Sequence, residues 1–250
     1  MKIADLFEAF DRNKIHDLTN PQEPEVGTVG SYEQLAAIIK KNCGTMLKAY
    51  QQTGKVLYRG MKTGKAVQNG KIDIPAMSVI ATGIRNDRRA VEMDSSIHEL
   101  LHDAFISAGL TVTRKNAIFT SANKSVADDW GKTFVVFVKD GWEGLVFNAA
   151  RDTYSFYALR DAGDNVYWDL KQAKGGMWDG AEKKQMIRDA KSELKQAVRG
   201  LKPRQFTDSQ TLAEVLAQNY HEVLIAGDSY IAISVPIFKK HVAPLLGIKQ

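Results

Sequence analysis

The chain has 250 residues, 44% of them hydrophobic and 25% charged, with 19 glycines and 6 prolines, which fits ordinary globular protein and excludes fibrous or low-complexity classes. Asp5 and Glu8 interrupt what would be the apolar core of a signal peptide, and no run of residues is long and uncharged enough to span a membrane, so a soluble cytoplasmic protein is expected. The single cysteine, Cys43, excludes an internal disulfide and a cysteine-rich metal site.

In chain order, Ile3, Leu6, Phe7 and Phe10 give one apolar face and predict a helix over 3–16, followed by a proline- and glycine-bearing linker over 19–30. Ser31, with Gln34 placed for a capping box, opens a helix that runs to about Gln52 and stops at Gly54. Val56-Leu57-Tyr58-Arg59 reads as a short strand ending at Gly60, with a glycine-dotted basic stretch behind it to about Arg89. A helix over 96–108 closes at Gly109. Strands are expected at 117–121, 133–138 and 144–147, with a short helix over 124–130 after the first of them. The region 150–218 reads as mostly helical and polar. Its longest helix, about 180–199, spaces Ile187, Ala190, Leu194, Ala197 and Leu201 for burial and ends at Pro203. Last come two strands, 222–226 and 230–234, read as a hairpin turning at Gly227-Asp228-Ser229. Helices first and scattered short strands afterwards imply an α+β fold with an antiparallel core.

Charge is unevenly spread. Residues 182–204 hold eight basic against three acidic side chains and so carry the whole formal excess of +5. Such a segment is a solvated helix face, or a surface that docks phosphates or acidic groups. A non-enzymatic basic nucleic-acid-binding protein is one alternative on this ground.

His98-Glu99-Leu100-Leu101-His102 matches the helical zinc-binding pattern of metalloproteases, with two imidazoles one turn apart and a glutamate to activate a bound water. The other histidines, His16, His221 and His241, are not spaced to complete an extended zinc motif. Ile97, Leu100, Leu101, Ala104 and Phe105 already form an apolar face, which leaves His98, Glu99, His102 and Asp103 as the wetter side of an amphipathic helix. A zinc metalloprotease stands as the enzymatic alternative.

Three separated pieces favour another chemistry. They are Leu57-Tyr58-Arg59-Gly60, Phe119-Thr120-Ser121-Ala122-Asn123 with the helix behind it, and Tyr220-His221-Glu222-Val223-Leu224-Ile225. Together they resemble the R-S-E class of mono-ADP-ribosyltransferases, the cholera-toxin-like family, over about 55–138 and 215–235. The resemblance implies an antiparallel split sheet core over 55–250, a helical N-terminal region over 1–54 outside it, and a helical insertion at about 150–218. It implies cleavage of NAD, as substrate, at the nicotinamide–ribose bond and transfer of ADP-ribose to a protein or nucleic acid, with no metal and no membrane involved. Glu222 would be the catalytic carboxylate on the ribose 2′-hydroxyl, where it stabilises the cationic transition state. Arg59 would hold the phosphates, Gly60 would let backbone approach the nicotinamide amide, and Thr120 or Ser121 would orient Glu222 and brace the strand. Tyr220 stands where the family carries an acceptor-selecting Glu or Gln, so an acceptor other than arginine is expected.

Overall fold

Helix formation begins with a cap and is interrupted by a distant carboxylate. The computed structural model describes residues 31–61, 79–85, 95–149 and 180–249. The helix expected over 3–16, the linker over 19–30, and the first part of the insertion, 150–179, lie outside the described residues. Ser31 Oγ accepts from Gln34 N at 3.2 Å and starts α1, Tyr32–Asn42. The single helix expected here is two. Cys43 leaves helical geometry, and α2, Gly44–Thr53, starts afresh because Asp140 accepts from Gly44 N and Thr45 N at 2.8 and 2.9 Å. Gly54 closes α2 with φ +68°, as a left-handed cap requires.

The remaining elements are β1 (Tyr58–Met61), β2 (Val79–Gly83), α3 (Ser95–Ser107), β3 (Ala117–Thr120), α4 (Lys124–Asp129), β4 (Lys132–Val138) and β5 (Glu143–Phe147). After these come α5 (Gly180–Gly200), β6 (Pro203–Phe206), α6 (Ser209–Gln218), β7 (Val223–Ala226), β8 (Ser229–Ser234) and a helical tail over 235–246. The fold is α+β, with two antiparallel four-stranded sheets ordered β1-β4-β8-β2 and β3-β7-β5-β6. β2 and β6 were not expected from the sequence, and β6 gives four residues within the expected helical insertion to a sheet edge. No helix among the described residues is long and apolar enough to cross a membrane.

The hairpin expected at 222–234 does not form. β7 pairs with β3 and β5 in one sheet, whereas β8 pairs with β4 and β2 in the other. The second sheet alternates side chains into two cores. Ile118, Val146, Val223 and Ile225 join the first core, with Leu35, Ile39, Tyr50, Leu57 and the buried run of β4. Ala117, Leu145, Phe147 and Leu224 join the second, under α3 and α5. Both faces are covered, so these strands read as continuous apolar runs. The helices α1 and α2 share the first core with β1, β4 and β8, and the buried Tyr50 hydroxyl ties them in by donating to Val136 O at 2.7 Å and accepting from Leu57 N at 3.2 Å.

Candidate active site

One bridge joins the two sheets. Tyr58 N donates to Ser121 O and Ser121 N to Tyr58 O, both at 2.7 Å, so the end of the hydroxyl strand lies against β1 one residue before Arg59. Arg59 Nη1 donates to Phe119 O at 3.3 Å, and its guanidinium carbon lies 5.5 Å from the centre of the Tyr230 ring. Its Nε is buried and has no hydrogen-bond partner among the described residues. Gly60 pairs with Thr133 on β4, and the last turn of α4 packs on it: a Cβ there would lie 2.1 Å from Ala127 O and 2.6 Å from Trp130 Cβ. The absent side chain thus makes room for α4.

Thr120 and Ser121 are fully buried. Thr120 Oγ1 donates to Val223 O at 2.7 Å, and Ser121 Oγ to Tyr220 O at 3.3 Å while accepting from Asn123 N at 3.0 Å. Ala122 N adds a bond to Tyr220 O at 2.9 Å. The two hydroxyls therefore brace the main chain on either side of Glu222. The bracing expected of a hydroxyl is thus present, but both Oγ atoms donate to carbonyls and not to the glutamate; among the described residues Arg114 is an ion-pair partner of Glu222, its Nη1 3.2 Å from Oε1. Glu222 is 5% exposed, and Arg114 stacks on the Phe119 ring at 4.4 Å. Tyr220, packed beside the first core, donates its hydroxyl to Asn148 Oδ1 at 2.7 Å.

The structure thus brings together residues 58–60, 119–123 and 220–223 on one seam. Phe119 is its hub, with Arg59 on its carbonyl and Arg114 on its ring. Arg114 was missed because nothing in Thr113-Arg114-Lys115-Asn116 marks it; its partner lies 108 residues away.

The histidine motif lies on α3, where Glu99 and Asp103 are exposed and His102 half-buried, as the wetter side expected. His98 is the one of the four that is buried. Glu99 is paired with Lys115, whose Nζ lies 2.9 and 2.7 Å from its two oxygens, and that bond holds its carboxyl below the usual range. His102 Nδ1 lies 3.0 Å from Thr113 Oγ1. Among the described residues no three His, Cys, Asp or Glu side chains are grouped to hold a metal ion.

Comparison with protein-family models, with curated proteins and with solved structures gives no match.

Proposed function

We propose that the chain is a mono-ADP-ribosyltransferase that consumes NAD and modifies a macromolecule. The observation that carries this reading is the seam itself: an arginine on a short strand, a hydroxyl strand and a buried glutamate, far apart in sequence, meet where two antiparallel sheets join through Tyr58 and Ser121. Arg59 puts a guanidinium group on this seam, a charge suited to a diphosphate, and its buried Nε is a donor that no group among the described residues takes up.

In the proposed reaction the bond from ribose C1′ to the nicotinamide nitrogen breaks, and its electron pair leaves with nicotinamide. The ribose carbon takes a pair from an incoming acceptor atom, whose proton passes to solvent; water as acceptor gives simple hydrolysis. Glu222 accepts a hydrogen bond from the ribose 2′-hydroxyl, and its negative charge offsets the charge growing on the ring, most strongly in the transition state. Arg59 holds the phosphates. The hydroxyls of Thr120 and Ser121 act one step back, by fixing the backbone from which Glu222 projects.

The acceptor is proposed to dock on α5. Lys184, Arg188, Lys191, Lys195 and Arg199 recur at intervals of four, three, four and four residues, forming one strip about 22 Å long. Glu182, Asp189 and Glu193 fall on another side of the helix. The zinc-protease alternative gains no support from α3, where Lys115 occupies the glutamate that would have to serve as base.

The test is nicotinamide release from NAD by the purified protein, with and without cell lysate. Glu222→Gln is expected to lower release by about 100-fold or more. Release that survives Glu222→Gln, or none from the wild type in either condition, refutes the reading.

A further inference from the structure

Two features stand outside the chemistry just proposed: the histidine motif of α3 and the arginine on Glu222. They are one device. Arg114 lies in the loop from α3 to β3, and each of its chain neighbours is tied to α3 by a polar residue of the motif. Before it, the fully buried Thr113 has its hydroxyl 3.0 Å from His102 Nδ1. After it, Lys115 places its ammonium on both oxygens of Glu99 and donates its N–H to Thr113 Oγ1 at 3.2 Å. Asn116 closes the turn, accepting from Thr113 N at 2.8 Å and donating to Thr111 O at 2.8 Å. Gln205 Oε1 on β6 anchors the start of the loop by accepting from Thr111 N and Val112 N at 2.7 and 3.0 Å. Between these ties Arg114 has a fixed origin. Its guanidinium carbon lies 4.4 Å from the centre of the Phe119 ring, and its Nη1 reaches Glu222 Oε1.

We propose that Arg114 is the positioning residue for Glu222, and that Glu99 and His102 are the buttress holding Arg114 in place. The inference rests on the reading of Glu222 as the catalytic carboxylate. A glutamate side chain has three rotatable bonds, and only one arrangement presents its oxygens to a ribose hydroxyl. A guanidinium that is stacked on a ring and set on an anchored loop restricts that choice before substrate arrives. Lysine would keep the charge and lose the flat stacking surface. The motif that looks like a metal site in sequence then serves a carboxylate about one strand away, through Thr113 and Lys115.

The experiment measures steady-state NAD cleavage by the full chain, as nicotinamide release, beside the thermal midpoint of each variant. Arg114→Gln should lower kcat by about 30-fold or more while KM for NAD stays within about threefold, because the lost contact acts on the transition state. Arg114→Lys should recover part of the loss. Arg114→Ala should be partly rescued by millimolar guanidinium ion, which a general folding defect would not be. Glu99→Gln combined with His102→Gln should lower kcat by about 3- to 10-fold without a metal being added or removed. An unchanged kcat for Arg114→Gln, or a raised KM with kcat intact, overturns the inference; the second outcome would make Arg114 a dinucleotide-binding residue instead. If Arg114→Gln does not fold, the lysine variant and the guanidinium rescue decide, and failure of both overturns it. Cleavage that depends on Glu222 but ignores Arg114 refutes this inference alone. No Glu222-dependent cleavage by the wild type refutes the underlying reading and this inference with it.

Discussion

Gly60 sits beside Arg59 for a reason that packing supplies. A methyl group there would overlap Ala127 O and Trp130 Cβ, so Gly60→Ala must push α4 away from β1. The expected cost is about 1–3 kcal/mol, read as a drop in thermal midpoint of roughly 2–4 °C per kcal/mol for a chain of this size. Activity should fall further than stability, since the same shift disturbs Ser121 and Asn123 at the start of α4. Normal melting and normal activity in Gly60→Ala would remove Gly60 from the site's framework. At this scale the sequence is legible where a residue type has a local reason: Ser31 caps a helix and Gly54 takes a left-handed turn, whereas the strand expected to end at Arg59 starts at Tyr58 and runs on to Met61. It is silent where the reason is a distant partner. Nothing near Arg114 announces Glu222, and nothing near Cys43 announces the Asp140 carboxylate that restarts the helix.

Single elements were readable from periodicity, and their neighbours were not. The strands 223–226 and 229–234 stand close to where their apolar runs put them, yet they belong to different sheets. An apolar run shows that both faces are covered without showing by what, and a two-residue connection at 227–228 suits a change of sheet as well as a hairpin. β6 was hidden by Pro203, which lacks a donor and is tolerated because β6 is an edge strand. In α5 the reading of the buried side holds for Leu194, Ala197 and Leu201, which lie in the second core with Val198. Its basic strip gives a prediction. Lys191 is already paired with Asp103 across to α3, at 2.9 Å. Changing Lys184, Arg188, Lys195 and Arg199 together to Gln should leave the fold intact. If the acceptor is held through phosphates, the dependence of log K on log salt should fall by about 3–4 in slope. Modification of acceptor would weaken while NAD hydrolysis continued. Equal salt slopes before and after would free α5 of any docking role.

At the scale of the whole molecule, the first core links α1 and α2 to strands of both sheets, and Cys43 lies at its centre with no exposure. Burial, with the nearby Asp140 charge adding to it, pushes the thiol up to about 12. The thiolate is the reactive form, so Cys43 should resist alkylation at pH 8 in the native protein. Because the thiol's folded value is raised, the preference of the fold for its neutral form is complete below the ordinary thiol range. That contribution is lost as pH climbs from there through about 12. In urea, labelling of Cys43 should rise together with the loss of helical circular dichroism. Fast labelling well before that transition would mean that the two helices open separately from the sheets.

The position of β8 has a consequence for how the chain is made. β8 is an inner strand, flanked by β4 and β2, although its residues 229–234 follow almost everything else in sequence. Until that segment leaves the ribosome, β2 lacks its partner strand and β4 has only β1 beside it. Glu222 emerges just ahead of it, on the segment that completes the other sheet. A nascent chain carrying Arg59, Thr120 and Ser121 therefore holds only fragments of the site, and the same late stretch of polypeptide supplies both the closing strand and the carboxylate.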